Sequence, residues 1–318
     1  MQKLSEMAVT CMIRNIRSLL TYNRYQKNKT NVFVSLRPRL KGGGSNTFAG
    51  LMVGWLKVNG YLRGSSPHNA DIIILIANRG NYEEIKKAKE KGTFVLHRLD
   101  EHFEDNETGV RKEKHEQIVR LNKLADLTIF QSRFVFENVY PYVKPRHYRI
   151  VLNGSDPKLF YPSGVPGKYV GNVVWGMGEK KRIDMLYKFI LEHPEIEFCL
   201  AGNHDKYPYN FMLPNVRVHS RLNRKQMAEY YRSLKMLYFP SENDPCPNTA
   251  VEAIMSGVPV CFNPLGGTKE IVNSCGVSLD RVEYLLDNLD EFRARCLKRR
   301  DLHFDSVAKK YLEPLRCE

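Results

Sequence analysis

The sequence contains no long hydrophobic run. Its longest uninterrupted apolar segment, Ile72 to Ala77, falls far short of the ~20 residues that a membrane-spanning helix needs. The first residues also lack an apolar segment followed by a small-residue cleavage site, so they do not predict a signal peptide. These absences predict a soluble, cytoplasmic protein.

Cysteine pairs with metal-site spacing are also missing. The seven cysteines are scattered, odd in number, and none forms a Cys-x-x-Cys pair, which argues against a zinc site and against a disulfide framework. Cys246 lies within the motif described below. A nucleophilic thiol requires a nearby base, and the sequence around Cys246 offers none.

Acidic residues are few relative to basic ones, with 35 Asp and Glu against 49 Lys and Arg, which gives a net charge of +14. The basic residues are spread along the whole chain, and no aromatic-stacking motif or zinc finger accompanies them. Nucleic acid is therefore not an expected partner. One interpretation is a solvated basic surface. The other is attraction for a diphosphate, another anionic ligand or an acidic membrane surface.

Strand-like and helix-like segments alternate along the chain, which predicts an α/β protein with parallel sheets covered by helices on both faces. A turn-rich segment, Asn153 to Gly167, interrupts this alternation and predicts a boundary between two domains, residues 1–162 and 163–300. Residues 1–30 are predicted as a basic helical segment. Residues 301–318 are left as a separate C-terminal segment.

The most informative segment runs from Ser241 to Val260 and combines acidic residues with signals for a helix and a strand. Pro247 stands near the first helical position, where its missing N–H costs nothing. Gly257 marks the helix end, and the buried strand 258–262 follows. Residues 263–272 then form a glycine turn that leads into another helix. Free helix N–H groups suit an anion, and neighbouring carboxylates suit hydroxyl groups. A nucleotide sugar has both kinds of group.

Residues 241–272 resemble the donor-site signature of the family-4 retaining glycosyltransferases of the GT-B fold. In that family two acids stand with seven residues between them, followed by a Gly-x-Pro-Val strand and a Gly-Gly-x-x-Glu-Ile turn. Asp244 and Glu252 fall at that spacing. The first acid is usually Glu, so Asp244 is a departure that shortens the side chain by one methylene. The resemblance is specific over residues 150–280 and looser over 31–150. It also implies that residues 301–318 form the family's closing helix, which can pack back on the first domain.

The two acids of this motif are expected to contact different parts of one ligand. Eight residues of helix span ~12 Å, which is too far for a glycosidase-type pair acting on one bond. The resemblance implies that Glu252 binds the ribose hydroxyls and Asp244 the transferred sugar, with the N–H groups of Asn248 and Thr249 close to the phosphates. The alternative is that Asp244 caps the helix and Glu252 is a surface acid.

Two further segments carry groups suited to phosphate. Gly43 and Gly44 end a triple-glycine turn between a strand and a helix, which is typical of phosphate-cradling loops and equally of flexible surface loops. Lys181 matches the family's diphosphate-binding Lys, whereas Met177 stands at the position of the expected Arg. Arg182 or Lys180 substitutes for that Arg in one interpretation, and in the other this basic segment is a solvated helix start.

His97 is predicted to end an apolar strand, Thr93 to His97, at the carboxyl edge of the sheet, where open α/β sheets bind ligands, and Asp100 follows it. The resemblance implies that His97 lies near the reacting sugar, and a plain strand-end histidine is an equal alternative. Asp100 either orients an acceptor hydroxyl or forms an ordinary loop salt bridge.

These observations together predict a GT-B protein, in which two Rossmann-like domains with parallel sheets face an interdomain cleft. By resemblance, it transfers a sugar from a nucleotide diphosphate sugar to a glycan, lipid or protein acceptor, with retention. The chain contains no Asp-x-Asp motif, so neither a metal nor another cofactor is expected. The alternatives are a nucleotide-sugar epimerase or hydrolase, and a non-catalytic protein that binds sugar nucleotides or glycans. Peripheral contact with an acidic membrane surface is left open.

Overall fold

The computed structural model describes residues 30–39, 43–103 and 108–313. The helix predicted for residues 1–30 lies outside the described residues except for Thr30. Gly42 of the triple-glycine turn also lies outside them. None of the helices in the described ranges combines the length and apolar character needed to cross a bilayer.

The first half of the chain builds a six-stranded parallel sheet in the order β2-β1-β3-β4-β5-β6. Its central strand β3 is a continuous Ile-Ile-Ile-Leu-Ile run in which every residue is buried, because helices cover both faces of the sheet. We refer to this sheet and its helices as the N-terminal domain. Its elements are β1 (Asn31–Val34), α1 (Gly44–Val58), β2 (Leu62–Arg63), β3 (Ile72–Ile76), α2 (Tyr82–Glu90), β4 (Phe94–Leu99), α3 (Gly109–Asn122), β5 (Leu127–Phe130), α4 (Arg133–Val143) and β6 (Tyr148–Ile150).

The second half builds another six-stranded parallel sheet, in the order β12-β11-β10-β7-β8-β9, which we call the C-terminal domain. The two sheets confirm the predicted α/β architecture. The elements are β7 (Tyr169–Val174), α5 (Ile183–Glu192), β8 (Phe198–Gly202), β9 (Val216–His219), α6 (Arg224–Arg232), β10 (Leu234–Phe239), α7 (Asn248–Met255), β11 (Val260–Phe262), α8 (Thr268–Val272), β12 (Gly276–Ser278), α9 (Val282–Asp287) and α10 (Leu289–Cys296).

The last described helix, α11 (Phe304–Leu312), returns to the N-terminal domain. Its buried residues recur at positions one, four, five and eight of the helix, which places them on one face. This face packs in the same core cluster as Phe48 of α1, whose ring centroid lies 5.9 Å from that of Phe304. The indole of Trp55 also donates a hydrogen bond to Asp305 at 2.9 Å. The chain therefore crosses between the domains a second time at its C-terminal end.

The loops at the carboxyl ends of the two sheets meet each other. In a parallel sheet all strands point the same way, so the turns that follow them collect along one edge. The hydroxyl of Ser132, which follows β5, donates to the carbonyl of Pro245, which follows β10, at 2.7 Å. The carboxyl edges of the two sheets therefore face each other, as predicted for an interdomain cleft.

Candidate functional site

The loop between β10 and α7 carries Asp244 and is held by the glycine turn after β11. Asp244 pairs with Gly266 through the backbone, and its carbonyl accepts a hydrogen bond from Gly267 N–H at 2.9 Å. Gly266 has a φ of 109°, and a Cβ there would stand 2.9 Å from the Asp244 nitrogen. Glycine is required because the two backbones approach this closely and because an L side chain disfavours that φ.

The structure brings the predicted cation Lys181 to Asp244. The Lys181 Nζ lies 3.5 Å from Asp244 Oδ2 and 3.3 Å from Ser241 Oγ. The two charged side chains are 30% and 20% exposed, so a ligand in the cleft can reach both. A cation next to a carboxylate, just before a helix N-terminus, can contact a phosphate and sugar hydroxyls at the same time.

Arg182 is already engaged by acidic side chains. Its guanidinium pairs with Asp184 at 3.0 Å and with Glu242, and these hydrogen bonds, that to Asp184 first, raise the pKa of Arg182. Arg182 is therefore a less available phosphate ligand than Lys181. Met177, where the resemblance implies an Arg, is 53% exposed.

Glu252 lies on α7 and is 9% exposed, so it is not the surface acid of the alternative interpretation. Burial raises the pKa of its carboxyl from 4.5 to about 7, against the effects of Arg224 and of a hydrogen bond with Tyr231. Arg224 NH1 lies 3.4 Å from Glu252 Oε1, and its NH2 lies 3.4 Å from Ser155 Oγ. The Tyr231 side chain also hydrogen-bonds Thr249, another predicted site residue. Sequence reasoning missed Arg224, which stands 28 residues before Glu252 in no recognisable motif.

The glycine turn before α1 faces the first turn of α7. A Cβ on Gly44 would lie 3.5 Å from Asn248 Nδ2, whereas a Cβ on Gly43 would meet open space. Gly43 stands at the N-cap of α1 without a side-chain cap. The structure thus brings Gly44 and Asn248 together from opposite domains, as a shared phosphate site requires.

A buried network joins this turn to the Asp100 carboxylate, which forms a salt bridge with Arg98, one of the two interpretations given for Asp100 above. Asp100 Oδ2 accepts hydrogen bonds from Ser45 Oγ and, at 2.6 Å, from Arg98 NH1. The Arg98 side chain is fully buried, and its NH2 donates to Asn153 Oδ1 at 3.1 Å. Asn153 Nδ2 in turn donates to Asn248 Oδ1 at 3.0 Å. A buried charge is stable only when it is paired and hydrogen-bonded, and this network supplies both.

The structure does not place His97 in the cleft. Strand β4 continues to Leu99, so His97 lies inside the strand rather than at its end. The residue is fully buried. Its Nε2–H donates to the Ala77 carbonyl at 2.8 Å, and its Nδ1 accepts from Asn122 Nδ2 at 3.0 Å. Burial lowers its pKa to about 4. His97 is therefore a neutral core residue with both ring nitrogens occupied, and we leave it out of the site.

Cys246 has no catalytic environment. Burial raises the pKa of its thiol to about 12, and its sulfur accepts a hydrogen bond from Asn153 N–H at 3.2 Å. A thiol in this state is a poor nucleophile.

A cavity of about 870 Å³ lies beside the site, between the start of α4, α11 and the glycine turn after β11. None of the predicted site residues lines it, although Asn243 and Gly266 adjoin Asp244. Its other lining residues include Arg133, Lys269 and Glu270.

Comparison of the sequence with protein families gives a match over residues 169–298 to the family described as Glycosyl transferases group 1. Two curated relatives also match. A GDP-mannose-dependent alpha-mannosyltransferase of Mycolicibacterium smegmatis is 24% identical over 169 residues, which cover 50% of this chain and 45% of the relative. The Vi polysaccharide biosynthesis protein VipC/TviE of Salmonella typhi is 25% identical over 174 residues, covering 47% and 30%. The matched region thus spans less than half of each relative's length.

Solved structures resemble the chain over most of its length. A sucrose-phosphate synthase of Thermosynechococcus elongatus aligns with a TM-score of 0.69 and 14% identity, covering 89% of this chain and 97% of that protein. Anabaena HepE in complex with UDP-glucose also gives 0.69, with 12% identity and coverage of 89% and 98%. At such identities the likeness establishes the fold. Residues 169–298 thus match the family described as Glycosyl transferases group 1, and the chain has the GT-B fold of these structures.

Proposed function

We propose that the protein is a glycosyltransferase that moves a sugar from a nucleotide diphosphate sugar to a glycan, lipid or protein acceptor, with retention and without a metal. The observation that carries this proposal is the pairing of Lys181 with Asp244 directly before the N-terminus of α7. This arrangement suits the junction between a sugar and a diphosphate, which is where the donor bond breaks.

The chemistry follows from where charge develops during transfer. As the sugar leaves, negative charge accumulates on the diphosphate, and preorganised donors at that point lower the barrier. Lys181 and the N–H groups of Asn248 and Thr249 are those donors in our proposal. The carboxylate of Asp244 accepts hydrogen bonds from the transferred sugar, and Glu252 accepts them from the ribose. Gly44 leaves room for the phosphates to approach α1.

The relatives favour this reaction class and leave the donor open. One is described as GDP-mannose-dependent, and one neighbour holds UDP-glucose. Neither description names an acceptor, so the acceptor is proposed only as a glycan or glycoconjugate. Peripheral contact with an acidic membrane surface stays a prediction from the net charge of +14.

Thermal shift against a panel of uridine, guanosine and adenosine diphosphates and their sugars tests donor binding. One donor should stabilise the wild type by about 2.7 kcal/mol at a concentration one hundred times its Kd. Glu252→Ala should abolish this shift, whereas Glu229→Ala, at an exposed position on α6, should retain it. If no nucleotide produces a shift, the donor site and the proposed function are wrong.

Turnover of the donor thus identified separates the remaining alternatives. A transferase consumes donor at a rate that rises with added acceptor, whereas a hydrolase or epimerase does so without one. The proton coupling of the product's anomeric centre reports retention. Activity that persists in a chelator supports the metal-free mechanism, and activity lost there and restored by a divalent ion contradicts it.

A further inference from the structure

The N-terminus of helix α4 is capped by a carboxylate from the other domain. Glu270 Oε2 accepts a hydrogen bond from Arg133 N–H at 2.7 Å, and Glu270 Oε1 accepts one from Phe134 N–H at 2.9 Å. The first turn of α4 contains no acidic residue of its own. A negative charge at this position is stabilised by the free N–H groups and by the helix dipole. The acid that normally belongs to the first turn is thus supplied from 137 residues away.

A second contact beside it joins the same two domains. Ser132 caps α4 by accepting from Val135 N–H at 3.1 Å, and its hydroxyl donates to the Pro245 carbonyl at 2.7 Å. Gly267 stands between them. A Cβ at Gly267 would lie 2.0 Å from the Pro245 oxygen and 2.8 Å from Ser132 Oγ. We call Ser132, Arg133 and Phe134 on one side, with Pro245, Gly267 and Glu270 on the other, the clasp.

The clasp acts on the loop that carries Asp244. Pro245, whose carbonyl accepts a hydrogen bond from Ser132, directly follows Asp244. The Asp244 carbonyl itself accepts a hydrogen bond from Gly267 N–H at 2.9 Å. Separating the domains would break three hydrogen bonds, of which the two to Glu270 are charge-assisted. It would also release one anchor of the loop. The position of Asp244 therefore depends on the contact between the domains.

We propose that Glu270 is a positioning residue: by capping α4 across the cleft, it holds the loop of residues 244–248 in the geometry needed for sugar transfer. The kinetic part of this inference rests on the proposed function. Both carboxylate oxygens of Glu270 already accept hydrogen bonds from α4, so in this proposal Glu270 acts through the loop and does not bind the donor. Its loss should impair the chemical step more than nucleotide binding.

The test compares Glu270→Ala with Asn81→Ala. Asn81 caps α2 by accepting from two backbone N–H groups, so both variants lose a two-bond helix cap, and only the first loses an interdomain contact. Glu270→Ala should lower kcat for transfer by about tenfold to hundredfold, since small misplacements of reacting groups have effects of that size. Its Kd for the nucleoside diphosphate should change less than twofold. Glu270→Gln, which keeps one acceptor oxygen, should be intermediate.

Amide hydrogen exchange provides a readout that does not require activity. Glu270→Ala should speed exchange at Arg133 and Phe134. It should also speed exchange at Asn243 and Gly267, whose N–H groups donate to the carbonyls of Leu265 and Asp244, whereas Asn81→Ala should leave all four unchanged. If exchange rises at Arg133 and Phe134 alone, or if kcat is the same in both alanine variants, Glu270 is only a helix cap and the proposal is wrong. A wild type that neither binds nor turns over a donor refutes the proposed function instead, and the loop exchange then decides the clasp.

Discussion

Replacing Glu252 with Gln should change how stability depends on pH. The carboxyl is 9% exposed, and burial raises its pKa from 4.5 to about 7. Between these values the unfolded chain releases the proton that the folded protein keeps. The contribution of this group to stability is therefore present at low pH, falls as the pH rises through that window, and is lost above about pH 7. Gln has no proton to release, so the variant lacks this dependence.

The size of the effect follows from the two pKa values. A change from 4.5 to about 7 corresponds to about 3 kcal/mol. The free energy of unfolding of Glu252→Gln, relative to the wild type, should rise by about that amount between pH 4.5 and pH 8. Urea unfolding of both proteins at several pH values measures it. Glu229→Gln is the matched control and should run parallel to the wild type.

The comparison must be made between variants because two histidines act in the opposite direction. Burial lowers the pKa of His97 and of His204 from 6.5 to about 4. Their contribution to stability is present above 6.5 and is lost as the pH falls towards 4. Both histidines are unchanged in Glu252→Gln, so their effects cancel in the difference. Parallel curves for wild type and Glu252→Gln would refute the assignment of a raised pKa to Glu252.

Affinity for a nucleotide sugar should rise with pH, whereas the contribution of Glu252 to stability falls. Ribose hydroxyls donate to a carboxylate, so the ionised form of Glu252 binds. With a pKa of about 7, the ionised fraction, and hence the affinity, rises about tenfold from pH 6 to pH 8. A nucleotide sugar is preferable to a diphosphate, whose terminal phosphate titrates near pH 6. Calorimetry should give this slope for the wild type and a weak, flat profile for Glu252→Gln. A flat wild-type profile contradicts the ribose role.

Three further substitutions test the site and its surroundings. Lys181→Met should lower kcat by about 10²–10³, because it removes a charge that stabilises the leaving diphosphate. Lys188→Met, on the exposed face of α5, is the control. Equal rates for the two variants in initial-velocity assays would exclude a catalytic role for Lys181. His97→Leu should lower the free energy of unfolding, measured with urea, by about 2 kcal/mol, because it leaves the carbonyl bound by His97 unpaired. Its kcat should stay within twofold of the wild type, and a large fall in kcat would show that His97 belongs to the site. Gly267→Ala should lower the free energy of unfolding by about 1–3 kcal/mol, because the added methyl clashes with the Pro245 carbonyl. Gly164→Ala is the control, since a Cβ there meets no atom within 4 Å. Equal stabilities of the two variants in the same unfolding assay would contradict the close approach of Gly267 to Pro245.

The fold was largely predictable because its signals are local. Two examples are the buried Ile-rich run of β3 and the Pro247 and Gly257 signals around α7, each of which lies within a short stretch of sequence. Such patterns are dictated by the periods of strand and helix and by the backbone preferences of proline and glycine. The end of β4 was misjudged because Arg98 and Leu99 continue the strand, and a buried Arg is a weak signal for one.

The site was predictable only in part. The spacing of Asp244 and Glu252 and the position of Lys181 are sequence features, and the structure places Lys181 against Asp244. The partners that set their properties come from distant segments. Arg224 reaches Glu252 from another helix, and Asn153 joins the two domains at Asn248. No local pattern encodes such pairs, because they depend on how the sheets and helices pack.

By itself, the sequence determined two parallel α/β units and an acidic motif at a helix start, since both follow from residue order over a few turns of chain. The tertiary structure alone decided that Glu252 is buried with a raised pKa, that His97 faces the core, and that Glu270 caps α4 across the cleft. These depend on burial and on contacts between residues far apart in the chain. Desolvation and hydrogen bonding act through distance in space, which only the packed fold defines.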